Sequence, residues 1–181
     1  MRDDYGLNIW ANGDFIIEKG KICLNTPSKP ALQDMIEKIR EDGIRGPILL
    51  RFPHLIAKQI SELYTNFKAA MSEFDYGGNF CAVYPLKVNQ YPGFVGNLVE
   101  IGKKYGYGLE AGSKAELLLA MAYNELGSPI TVNGFKDKEL INLGFIAAEM
   151  GHNITITIEG LGELETIIET AKNRFKPKPN I

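Results

Sequence analysis

From Phe80 to Asn173 the chain repeats one pattern four times: a short apolar run, then a longer stretch whose apolar residues recur at helical spacing. The runs are Phe80 to Leu86, Tyr107 to Leu109, Pro129 to Val132 and Asn153 to Ile158. The stretches that follow carry Val95, Leu98, Val99 and Ile101, then the Ser113 helix, then Lys136 to Met150, then Leu161 to Asn173. A strand-to-helix unit of roughly 25 residues is what a parallel neighbour requires, because the chain must cross back before pairing again. The alternation therefore predicts an α/β fold with a parallel, helix-covered sheet. Two architectures satisfy it: an open doubly wound sheet, or one half of a (β/α)8 barrel. No Gly-x-Gly-x-x-Gly follows the first strand, which weakens a dinucleotide-binding version.

The segment ahead of these units is of another kind. Asn12-Gly13 between Leu7-Asn8-Ile9-Trp10 and Phe15-Ile16-Ile17 reads as a hairpin, with a second turn at Lys19-Gly20. Thr26-Pro27-Ser28 offers a capping hydroxyl before Leu32, Met35, Ile36 and Ile39, and Gly43 closes that helix. Pro47 to Phe52 reads as a strand and His54 to Met71 as a helix with Ile56, Ile60, Leu63 and Phe67 on one face. The expected division is an amino-terminal hairpin and helix over 1–46 and the barrel part over 47–181. Half a barrel leaves apolar edges, and the tail Phe175 to Ile181 reads as a loop leading into a fifth strand. A longer natural protein is expected.

Composition excludes several partners. With 45% hydrophobic and 23% charged residues and a formal charge of -2 from 20 basic and 22 acidic residues, the chain has neither the bias of a disordered segment nor a field for nucleic acid or anionic lipid. Cys23 and Cys81 are far apart, and Cys81 sits in an apolar run as a small buried hydrophobe, so a disulfide framework is not expected. Met1 to Tyr5 carries no signal pattern and no apolar run reaches membrane-spanning length. A cytoplasmic location follows. No Cys/His spacing or acid-rich loop suggests a metal.

In barrels of this kind the chemistry sits at the carboxyl ends of the strands. The residues there are Lys87, Glu110, Asn133 and Glu159, all polar. A lysine at an apolar strand end is expected to sit in partly dry surroundings, which favour the uncharged amine that condenses with aldehydes. Each residue also has a structural role open to it: Lys87 snorkelling to water, Asn133 in a left-handed turn, Glu110 and Glu159 at helix starts. Ser113 and Glu116 form a capping-box pattern. His152 lies ahead of its strand and His54 opens a helix behind Pro53, and both read as structural.

Tyr84-Pro85-Leu86-Lys87-Val88-Asn89-Gln90 closely resembles the cofactor-lysine motif of the biosynthetic arginine decarboxylases, members of the alanine-racemase-like group of pyridoxal-phosphate enzymes. Gly108-Leu109-Glu110-Ala111-Gly112-Ser113-Lys114-Ala115-Glu116, Asn133-Gly134-Phe135-Lys136-Asp137 and Ile158-Glu159-Gly160 are similar to the motifs of the next three strands, and the resemblance extends to the early segments Tyr5 to Trp10 and Leu50 to Pro53. The resemblance implies the first half of a (β/α)8 TIM-like barrel preceded by a small β/α amino-terminal segment. It implies Lys87 as the catalytic, cofactor-binding lysine and Glu110, Asn133 and Glu159 as cofactor-binding neighbours, with Glu116 in support. It further implies decarboxylation of L-arginine to agmatine, an entry to polyamine synthesis, with pyridoxal 5'-phosphate, magnesium assistance and a homo-oligomer completing the site. On that reading these 181 residues alone are inactive. Two alternatives remain: a related decarboxylase acting on ornithine, diaminopimelate or a carboxylated polyamine, and a silent relative that binds cofactor or a protein.

Overall fold

A computed structural model describes residues 6–172, 174 and 178–181. The chain divides into two compact units, Met1–Leu55 and Ile56–Ile181.

In the first unit a single helical turn, α1 (Leu7–Trp10), precedes an antiparallel hairpin of β1 (Phe15–Glu18) and β2 (Lys21–Leu24), followed by α2 (Leu32–Glu41). The hairpin differs from the expected one. Leu7–Trp10 is helical, closed by the Ala11 amide on the Leu7 carbonyl at 2.9 Å, and Asn12-Gly13 only redirects the chain into β1. The hairpin turn is Lys19-Gly20, with φ of 49° and 78°, the pair of left-handed conformations a two-residue loop needs between twisted strands. Helix α2 starts from Ala31 without a side-chain cap, so the expected Thr26 cap is absent, whereas Gly43 at φ 84° ends it as expected. Phe15 packs edge-on against Phe52, and Phe52 against His54, at centroid distances of 5.8 and 6.1 Å. The strand expected over Pro47 to Phe52 does not form. These residues join no strand ladder among the described residues, and Leu49 is 71% exposed; an apolar run becomes a strand only where a neighbour accepts its hydrogen bonds.

Helix α3 (Pro53–Glu73) leads into the parallel sheet, whose strands β3 (Val83–Pro85), β4 (Gly108–Ala111), β5 (Pro129–Val132) and β6 (Asn153–Ile156) lie side by side in chain order. Helices α4 (Pro92–Gly102), α5 (Lys114–Tyr123), α6 (Lys138–Glu149) and α7 (Leu161–Lys172) follow the strands in turn. This is the first half of a (β/α)8 barrel.

The register explains which face is which. Leu109, Ile130 and Ile154 are paired across three strands, as are Ala111, Val132 and Ile156, and all are buried. They pack with Val95, Leu98, Leu117, Ala120, Ile141, Phe145 and Ile167 of the helices. Alternation along each strand then sends Glu110, Thr131 and Thr155, which are also paired, to the opposite face. That face is only half-buried.

Two glycines permit close packing. A Cβ on Gly108 would lie 2.0 Å from the Pro129 carbonyl oxygen, and one on Gly144 would lie 3.2 Å from the Ile156 side chain. Asn180 makes a one-residue parallel bridge on the free edge of β6, its amide donating to the Ile154 carbonyl at 2.8 Å and its carbonyl accepting the Ile156 amide at 2.9 Å. Phe175, Lys176 and Pro177 of the same tail, and Met1 to Tyr5, lie outside the described residues.

Cys81 corrects another expectation: it is exposed, because it lies ahead of the first paired residue of β3. Cys23 is buried, and both are free thiols.

Candidate active site

Backbone hydrogen bonds carry the sheet past its regular strands and bring the four strand ends into one rim. The Leu86 amide donates to the Glu110 carbonyl, the Asn133 amide to the Ala111 carbonyl and the Thr157 amide to the Val132 carbonyl, each at 3.0 Å. Lys87, Glu110, Asn133 and Glu159 thus stand at the carboxyl ends of four consecutive strands. Neighbouring strands are about 4.8 Å apart, so the rim from β3 to β6 runs on the order of 14 Å. The four residues line a wall rather than converge on one atom.

Lys87 occupies a turn after β3, closed by the Val88 amide on the Pro85 carbonyl at 3.1 Å. It is exposed, and its amine enters no ion pair among the described residues. The partly dry setting expected for it is therefore absent, because four strands supply only one side of a barrel mouth. Glu110 is half-buried on the concave face. The Asn133 side-chain oxygen accepts the Gly134 amide at 2.8 Å, and the left-handed conformation falls on Gly134, at φ 81°. A Cβ on Gly134 would come 3.3 Å from the Gly112 carbonyl oxygen, so the ends of β4 and β5 touch through glycine. Glu159 is exposed.

The capping box at α5 is formed by half. Ser113 Oγ accepts the Glu116 amide at 3.3 Å, but the Glu116 carboxylate reaches past Ser113 to the Gly112 amide at 2.7 Å. Its other oxygen accepts from Gln90 Nε2 at 3.3 Å, linking the Lys87 loop to the turn after β4.

The rim's buried charges are residues that sequence reasoning passed over. Lys136 is 5% exposed although Phe135 beside it is 89% exposed. Lys136 Nζ lies 3.1 Å from Glu163 Oε1 and donates to the Gly134 carbonyl. Glu163 Oε2 accepts the Glu159 amide at 2.9 Å. Burial alone would raise the Glu163 carboxyl, but the Glu159 amide and Lys136 together hold it below its ordinary value of 4.5.

His152 lies at the amino end of β6, away from the rim, and its Nδ1 is buried without a partner among the described residues. No cluster of three or more His, Cys, Asp or Glu among the described residues is placed to hold a metal ion. No helix among them is long and apolar enough to cross a membrane.

No protein-family model matches the chain. A biosynthetic arginine decarboxylase of Xanthomonas axonopodis pv. citri is 38% identical over 175 residues, covering 94% of this chain and 28% of the relative. Its counterpart in Pseudomonas putida is 35% identical over 185 residues, covering 99% and 29%. The crystal structure of the biosynthetic arginine decarboxylase SpeA from Campylobacter jejuni superposes with a TM-score of 0.95 at 70% identity, over 100% of this chain and 30% of that one. Diaminopimelate decarboxylase from M. jannaschi superposes with a TM-score of 0.65 at 26% identity, over 89% and 33%. The chain thus spans less than a third of the length of these curated relatives.

Proposed function

From a chain that is homologous along nearly all its length to the amino-terminal portion of biosynthetic arginine decarboxylases, we propose that the whole protein decarboxylates L-arginine to agmatine with pyridoxal 5'-phosphate. The observation that carries the reading is the superposition on SpeA across 100% of this chain at 70% identity.

The rim fits such a cofactor. Lys87 presents an amine without an ion-pair partner among the described residues, and the glycines at 112 and 134 keep side chains off the adjoining strand ends. Pyridoxal phosphate, when bound, supplies an electron sink for the pair left behind when a carboxylate departs from an alpha carbon. Lys87 is the attachment point for its aldehyde. Glu110, on the strand next to Lys87, and Asn133, two strands away, line the wall beside it, and Glu159 closes the row. The Asn133 amide can donate or accept, while Glu110 and Glu159 offer acceptors, so the wall can orient a polar ring by hydrogen bonds. A barrel mouth closed by further strands then removes water from Lys87, which favours loss of a poorly solvated carboxylate.

For the whole protein the reading extends to a homo-oligomer that completes the site and to a cytoplasmic location. Magnesium enters only through the family resemblance. The superposition on diaminopimelate decarboxylase supports a second reading, a related decarboxylase with another amino-acid substrate.

Incubating the purified full-length protein and pyridoxal phosphate with arginine, ornithine, lysine and diaminopimelate separates these readings. Agmatine formed from arginine, with negligible product from the others, is the expected result. Faster turnover of another amino acid would replace the first reading with the second, and no product from any would favour a silent relative.

A further inference from the structure

Two carboxylates repeat one device along the rim. Glu116, in the first turn of α5, closes its own turn through the Gly112 amide and reaches back to Gln90 in the loop after the preceding strand. Glu163, early in α7, does the same: one oxygen takes the Glu159 amide at 2.9 Å, and the other reaches back to Lys136 after the preceding strand, with its Nζ at 3.1 Å and its amide at 3.4 Å. Strand β3 is stapled to β4 in this way, and β5 to β6. The staples differ in burial. The Gln90 contact is exposed, whereas the Lys136 side chain is 0% and the Glu163 side chain 16% exposed.

Burying a lysine and a carboxylate is a poor route to stability, since stripping water from both charges offsets most of their attraction, and an apolar pair of similar size often does as well. What an apolar pair cannot supply is direction. Lys136 Nζ holds the Gly134 carbonyl and Glu163 holds the Glu159 amide, so the pair fixes the backbone just after Asn133 and at Glu159. We infer that Lys136 and Glu163 are positioning residues for the cofactor wall, setting where Asn133 and Glu159 stand while touching neither cofactor nor substrate. This rests on the function proposed above.

The test uses the full-length protein and three variants: Glu163→Gln, Lys136→Met, and the double Lys136→Met/Glu163→Met. Each is titrated with pyridoxal phosphate by its visible absorbance, beside a thermal melt. The expected result is a dissociation constant raised about 10-fold to 100-fold, the scale on which small misplacements act. The apolar double should melt within a few degrees of the parent yet keep the weakened affinity, which a merely structural pair would not do. A rise of threefold or more in any variant that melts like the parent supports the inference. A smaller change in every folded variant overturns it, and so does unfolding of all three, which would make the pair a stability element. A parent without a pyridoxal phosphate band, or with one that Lys87→Ala leaves unchanged, refutes the proposed function instead.

Discussion

Phe135 and Lys136 are adjacent yet occupy opposite environments, the phenylalanine 89% and the lysine 5% exposed. The inversion is paid for by hydrogen bonds: Lys136 Nζ meets the Glu163 carboxylate and the Gly134 carbonyl, so its charge is not left alone in the interior.

Glu163 makes that arrangement sensitive to acid. Its folded-state pKa lies below the ordinary 4.5, so the stability it contributes is present above about pH 4.5 and is lost as pH falls through the lowered value. Full-length Glu163→Gln is expected to be less stable than the parent at pH 7, with the gap narrowing below pH 4.5. Urea unfolding at a series of pH values measures the gap, and a constant gap down to pH 3 would contradict the assignment.

Gly108 is held by its neighbour rather than by its dihedral angles. A methyl group there would sit 2.0 Å from the Pro129 carbonyl oxygen, so β4 and the start of β5 would have to separate. Gly108→Ala is expected to destabilise by about 1–3 kcal/mol, the usual cost of overpacking. A melting temperature equal to the parent's would show that the strands part at no cost.

Leu109 is fully buried between helices and sheet, paired with Ile130 and, on the other side, Tyr84. Leu109→Ala should cost about 2–5 kcal/mol in denaturant unfolding, since it leaves a cavity in rigid surroundings. A loss under 1 kcal/mol would mean that the core collapses around the deletion.

Ser113→Ala removes the acceptor for the Glu116 amide. The expected cost is about 1 kcal/mol. Because the Glu116 carboxylate is tied to Gly112 and Gln90 rather than to Ser113, pyridoxal phosphate affinity should change less than twofold. A large loss of affinity at full stability would place Ser113 itself in the site.

The four strand-to-helix units were legible because a parallel sheet forces a helix between neighbours, and helix and strand periods differ enough to separate by eye. Rim positions followed from strand ends. Other features depend on partners distant in sequence. Pro47 to Phe52 has a strand's composition but no ladder to join, and of the two turns expected at Asn12-Gly13 and Lys19-Gly20 only the second joins paired strands, because Leu7 to Trp10 coils into a helical turn. Glu116 was visible as a capping acid, but its bond to Gln90 spans 26 residues. The exposure of Lys87 agrees with the snorkelling role left open for it and not with the partly dry setting, because a strand-end reading of the second kind assumes a closed mouth. Lys136 was hidden for a simpler reason: between a lysine and a phenylalanine, sequence reasoning buries the phenylalanine.

The account stands most directly on which lysine carries the cofactor. Full-length protein loaded with pyridoxal phosphate, reduced with borohydride to fix the cofactor where it is attached, and then digested for peptide mass mapping reports that residue. The account predicts the added mass on the peptide containing Lys87, and its absence from Lys87→Ala together with loss of agmatine formation. Added mass on Lys136 or any other lysine, with Lys87 unmodified, would contradict it.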